Sequence, residues 1–422
     1  NTGLEGLIDV ELAYGLGVRT EDADPKLVSI ANGGKRFNSG NFDDGTLNYD
    51  EGDLTSNMLR TTGEVTLRWG DFGAFFRGYA FYDYENEDNN RARTELTAEG
   101  KEQVGSDAQL LDANFSARFT VRDVPLILRL GDQVVNWGES RFFPASGVNV
   151  ANPVDIPLFR QPTSTSRDLR KPVGMLWGTA HLTPLLILEA YYQYDWDKTV
   201  LPARGTFYSS NDGLSPGGSF IQITGTANEF GTNLSERFGI PAATLEAVGI
   251  PVFDPNFLQV HQRISADNPS DSGQFGVTLQ SIVPRLHDTK FALHFANYHS
   301  KTPFFGAITP SVEAYKAYSV QAISALAGAL TEEGVDEATA TAAAVETQFS
   351  RYQDEGRYFL QYPENIKMLG LSLNTTSNRT GTAYFGEIGY HFDAPLSPHG
   401  GDLTDEILPG GSRDNPLPPR TR

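Results

Sequence analysis

Apolar side chains recur at every second position in eleven segments of this chain, a period that a strand satisfies and a helix does not. In Leu185–Trp196, Leu186, Leu188, Ala190, Tyr192, Tyr194 and Trp196 share one phase, while Glu189, Gln193 and Asp195 take the other. Phe72–Tyr84 sets Phe72, Ala74, Phe76, Ala80 and Tyr82 against Arg77 and Asp83. Pro125–Val135 sets Leu126, Leu128 and Leu130 against Arg129 and Gln133. The same pattern runs through Leu4–Leu16, Gly63–Trp69, Leu110–Phe119, Val173–Leu182, Gln274–Val283, Thr289–Tyr298, Lys367–Thr376 and Thr380–Phe392. Each segment therefore makes a strand with one apolar and one polar face.

The connections alternate between short and long. Gly70-Asp71, Arg122-Asp123, Thr183-Pro184, Pro284–Asp288 and Ser377–Arg379 are short; Val18–Thr62, Glu85–Gln109, Asn136–Pro172, Asp197–Gly273 and His299–Ile366 are long. Every long connection thus leaves the same end of the strands. That asymmetry predicts an all-β fold: an antiparallel transmembrane β-barrel with short periplasmic turns, long extracellular loops and a helical loop insertion. No run approaches the roughly 20 apolar residues of a membrane helix, so membrane residence would require a closed sheet. Eleven is odd, whereas such barrels close with even numbers. The expectation is an incomplete barrel sequence over residues 1–392, or one further strand within Ser219–Thr226 or near Phe257–Ile264. Ala-rich Ser311–Leu330 and Gly334–Phe349 predict a helical hairpin over residues 311–349, covering the mouth of the pore. Residues 393–422 form a Pro/Gly-rich loop or tail. The start at Asn1 fits a processed chain.

A net charge of -20 argues against nucleic acid, and the absence of cysteine excludes disulfides and thiolate chemistry. His181, His287, His294 and His299 lack ligand spacing, and no nucleophile elbow or phosphate-binding glycine loop occurs. No catalytic, cofactor-binding or metal residues are therefore assigned, and the chain is not expected to be an enzyme. Asn41–Asp53 carries Asp43, Asp44, Asp50, Glu51 and Asp53. It offers oxygens to calcium, but without the regular ligand spacing it reads first as a solvated acidic loop. The polar strand phases predict a charged lumen or constriction built from Arg68, Arg77, Arg118, Arg129, Gln133, Glu189 and Glu387. Gly131–Ser140 followed by Asn149–Asp155 suggests an inward pore loop carrying Trp137, Glu139, Asn152 and Asp155; equally, Trp137 is an interface anchor on a rigid surface loop. Phe142, Phe143, Pro303, Phe304 and Phe305 would make a hydrophobic port.

Gly131–Ser140 with Asn152–Asp155, Asn297–Pro303, Tyr362–Ile366 running into Leu369–Asn374, and Gly386–Tyr390 resemble a large proteobacterial family long described as domain of unknown function 1302. The resemblance spans nearly the whole chain. It implies an outer-membrane barrel distantly similar in style to long-chain fatty-acid channels, associated with a second outer-membrane or periplasmic protein and with export of hydrophobic molecules. Family members usually run on beyond the Gly386–Tyr390 region, where this chain enters its Pro-rich tail. The family has no catalytic residues to carry over. The expectation is a channel or transporter for hydrophobic or amphipathic small molecules in the bacterial outer membrane, surrounded by outer-membrane lipids and without a cofactor. The alternatives are a general diffusion porin and a structural scaffold for an outer-membrane complex.

Overall fold

Tight hairpins set the strand order. Between Val121 and Val124, Arg122 and Asp123 both adopt left-handed backbone, with φ of 49° and 66°, the conformation that matches the twist of two strands joined by two residues. His287 and Asp288 repeat it with φ of 58° and 55°. Gly70, at φ 60°, turns the second strand into the third. The computed structural model describes residues 3–29, 32–36, 41–139, 147–224, 258–308, 311, 320–377 and 379–396.

Eleven strands form one antiparallel sheet: β1 (Glu5–Val18), β2 (Leu54–Trp69), β3 (Phe72–Asp83), β4 (Ser106–Val121), β5 (Val124–Gln133), β6 (Val173–Thr183), β7 (Leu186–Gln193), β10 (Gln274–Val283), β11 (Thr289–Tyr298), β14 (Ile366–Thr376) and β15 (Ala383–Phe392), adjacent in that order. A second sheet is assembled from two of the long connections. It contains β8 (Phe220–Thr224), β9 (Leu258–Arg263), β12 (Phe304–Ile308) and β13 (Arg357–Gln361), in the order β12-β13-β9-β8. The segments weighed as a twelfth barrel strand thus pair with each other in this smaller sheet. β2 begins at Leu54, earlier than the alternation suggests, because Thr55, Ser56, Asn57, Thr61 and Thr62 blur the apolar phase.

The sheet is open, and this corrects the expected transmembrane β-barrel. Among the described residues no strand pairs with the outer edge of β1 or of β15. With eleven antiparallel strands these two edges run in the same direction, so the antiparallel ladder that joins every other pair cannot join them. Without a closed wall there is no enclosed lumen. The same observation corrects the readings as outer-membrane channel, transporter or porin, the scaffold reading tied to that location, and the outer-membrane location itself. No helix among the described residues is long and apolar enough to cross a membrane.

The two faces of the large sheet differ in kind. Cross-strand register lines up Asp9, Glu64, Arg77 and Asp112 on one face, and Arg129, Trp177 and Tyr191 farther along it. Glu189, Thr278 and His294 continue the polar row, followed by Ser372 and Glu387. On the opposite face Phe115, Leu128, Leu130, Leu176, Leu293, Leu371 and Ile388 stand exposed. A half-covered sheet usually packs its apolar side inward; here chain covers the polar side. α5 (Val320–Glu332) and α6 (Glu337–Glu355) fall where the Ala-rich segments lie, but an open sheet gives them no pore mouth to cover.

Candidate functional site

Residues 134–139 leave β5, and residues 147–172 lie over the polar face and return into β6. Asn152 fixes the crossing from within: its Oδ1 accepts from Val135 N at 2.9 Å, and its Nδ2 donates to Gln133 O at 2.9 Å and Lys171 O at 3.0 Å. Trp137 is buried among Val135, Ala151, Val173, Met175 and Tyr191. Its ring lies 4.9 Å from that of Tyr191. Gly276 makes room for the indole, since a Cβ there would fall 2.7 Å from Trp137 Cζ3.

Charge fastens the far end of the cover. Asp168 is only 2 % exposed and takes a bidentate pair from Arg60, both contacts at 3.0 Å, plus Arg77 Nη1 at 3.4 Å. Arg77 Nε in turn donates to Asp112 Oδ2 at 2.7 Å. Arg60, Asp168, Arg77 and Asp112 therefore form a covered network in which charges alternate. Such an arrangement is tolerated because its members meet their partners in good geometry. At the opposite end Glu387 accepts from Glu139 N at 2.6 Å and Val148 N at 3.4 Å.

Between these anchors the cover stands away from the sheet and leaves a cavity of about 540 Å³. Arg77, Arg129, Arg167 and Arg170 line it, opposed by the single carboxylate of Asp112; Phe75, Val134 and Leu169 supply apolar wall. Arg77 is engaged by Asp112 and Asp168, and Arg167 by Glu64. Arg129 differs. Its guanidinium lies 4.5 Å over the Trp177 ring, its Nε is buried without an acceptor, and it forms no ion pair among the described residues. Glu189, the carboxylate beneath it, instead accepts both indole N–H groups, Trp137 at 2.6 Å and Trp177 at 2.7 Å. Burial pulls the Arg129 pKa below its usual value, against the opposing fields of Glu189 and Asp112. Burial likewise brings Arg170 down to about 10, against Glu387. Arginine stays protonated at such values, so the cavity is lined by cationic groups.

The structure brings Arg77 and Arg129 together in this cavity and places Glu189 under it. Arg68 and Arg118 share the polar face but are exposed toward the short-turn end, outside the lining. Gln133 is a strut whose Nε2 donates to Met175 O at 2.8 Å. Glu139 and Glu387 sit at the far anchor, where Asn374 Nδ2 donates to Glu139 Oε2 at 2.8 Å. Trp137 is a core residue, Asn152 braces the cover, and Asp155 caps the short helix α4 (Ile156–Arg160) by accepting from Leu158 N at 2.9 Å. Phe304 and Phe305 begin β12 just after Pro303, with Phe305 stacked 5.1 Å from Tyr358; Phe142 and Phe143 lie outside the described residues. Sequence reasoning missed Arg60, Arg167, Asp168 and Arg170. The one local signal was Thr165-Ser166-Arg167-Asp168, the spacing of a helix-capping box.

The polar face of this open antiparallel sheet is thus partly covered by its own chain, over an arginine-lined cavity. The chain belongs to the family described as Protein of unknown function (DUF1302), whose family model matches residues 1–414. No curated protein and no solved structure matches it.

Proposed function

We propose that the protein binds a small amphipathic anion, a carboxylate or phosphate carried on an apolar body, in the cavity between the polar sheet face and the described parts of the β5–β6 connection, residues 134–139 and 147–172. The observation that carries this reading is Arg129: a guanidinium stacked on Trp177, without an ion pair among the described residues, in the lining of a space that it shares with three further arginines. An anion placed against Arg129 supplies, through charge-assisted hydrogen bonds, the counter-charge that the described residues do not give it. A volume near 540 Å³ lies within the range of about 300–1,000 Å³ typical of small-molecule sites. Phe75, Val134 and Leu169 give the apolar body a wall to rest on. No reaction is proposed: Asp112, the only carboxylate in the lining, is already held by Arg77.

Calorimetric titration with octanoate, octyl phosphate and octanol tests the reading. Both anions bind, and octanol binds at least roughly tenfold more weakly, as loss of a charge-assisted hydrogen bond requires. Arg129→Gln weakens the anions by a similar factor and leaves octanol unchanged. Equal affinity for all three compounds, or anion binding untouched in Arg129→Gln, overturns it.

A further inference from the structure

Far from the cavity, three carboxylates converge from two connections. Asp43 and Asp44 lie at the start of the short helix α1 (Asp44–Leu47), in the β1–β2 connection; Asp212 comes from the connection after β7. All three are buried, at 0 %, 3 % and 4 % exposure, and one oxygen from each lies within 4.8 Å of the others. This contradicts a solvated acidic loop at Asp43 and Asp44.

The hydrogen bonds around the cluster leave it incomplete. Asp43 Oδ2 accepts from Ser29 N at 2.8 Å and Asn32 Nδ2 at 2.9 Å. Asp44 is held on both oxygens, by Arg93 Nε at 3.2 Å and Arg204 Nε at 2.6 Å. Asp212 Oδ2 receives only a long contact from Asp44 N, 3.4 Å. Oδ1 of Asp43 and Oδ1 of Asp212 are buried with no hydrogen-bond donor at all. Among the described residues two guanidiniums, both on Asp44, stand against three buried carboxylates, so negative charge is left over on Asp43 and Asp212. Buried charge of that kind requires a counter-ion or a proton. Beside it, Ser209 Oγ is also buried without a partner, on a segment whose carbonyl lies 3.1 Å from where a Cβ on Gly45 would stand.

We infer that Asp43, Asp44 and Asp212 hold a divalent cation of the calcium type, which ties the β1–β2 connection to the connection after β7. The donors are all oxygens, which selects a hard cation over zinc or copper. They are also irregularly placed and crowded by arginines. Calcium tolerates such geometry, whereas magnesium demands a near-ideal octahedron.

Equilibrium dialysis of the metal-free full chain against calcium chloride, paired with thermal melting in calcium and in chelator, decides the matter. A single saturable calcium per chain and a melting point several degrees higher in calcium are expected, because an ion that binds only the folded state stabilises it. Asp43→Asn and Asp212→Asn each lose the ion, while Asp50→Asn, at an exposed position on the same connection, keeps it. Two results overturn the inference. One is the absence of saturable binding to the parent chain. The other is an Asp212→Asn variant that melts higher than the parent with no calcium response in either, which means that a proton rather than a cation satisfies the cluster.

Discussion

Asp155 shows what burial does to a side chain whose sequence setting suggested a pore. Burial pushes its carboxyl up to about 6, although the Leu158 N–H and Lys171 pull the other way. A folded-state value above the unfolded one, about 3.9, means that the native protein holds this proton more tightly. The contribution to stability is therefore fully present below about pH 4 and is lost as pH rises through about 6. Asp155→Asn keeps an oxygen for Leu158 N and removes the charge. It is expected to stabilise the protein at neutral pH by on the order of 2 kcal/mol, with the gain fading toward pH 4. Urea denaturation at the two pH values measures this, and a gain that persists undiminished in acid contradicts it. Of the cavity residues, Arg77 and Arg129 were legible as members of a polar phase. Their different fates were not, because the Asp112 and Asp168 contacts of Arg77 and the Trp177 stack of Arg129 exist only after strands and cover have met.

The cover, residues 134–139 and 147–172, is the element that encloses the arginine-lined cavity against the polar sheet face. The short turns were readable from local chemistry, as at Gly70 and Asp123, since backbone conformation there depends on one or two residues. The path of the cover was not, because Asp168 finds Arg60 across 108 residues of sequence and Glu139 N finds Glu387 across 248. Asp168→Ala leaves the buried Arg60 and Arg77 facing each other without their shared counter-charge. The expected cost is about 3–5 kcal/mol, the usual penalty for breaking one side of a buried pair. If the network pins the cover, limited proteolysis of this variant cuts first between 134 and 172 while the strands remain protected. Cleavage that begins in the strands, or a loss below about 1 kcal/mol, contradicts the role given to Asp168.

At the scale of the whole molecule, eleven strands were visible in the sequence because alternation reports which way each side chain faces. Alternation carries no information about whether β1 and β15 meet, and here they do not. The result is an open sheet with a partly covered polar face and a broad exposed apolar one that includes Phe115, Leu130, Leu371 and Ile388. Apolar surface of that extent associates. Sedimentation velocity of the chain in plain buffer is expected to show self-association that a mild detergent reverses, and a single monomeric species without detergent contradicts this picture of the surface. On the other face lies the arginine-lined cavity proposed to take an anion. Crystals soaked with a bromine-tagged alkanoate and measured at the bromine edge test it most directly. One anomalous peak is expected inside the cavity bounded by Phe75, Val134 and Leu169, with the carboxylate against Arg129, and it is expected to disappear in Arg129→Gln. A peak confined to the exposed apolar face, or an unchanged peak in Arg129→Gln, would contradict it.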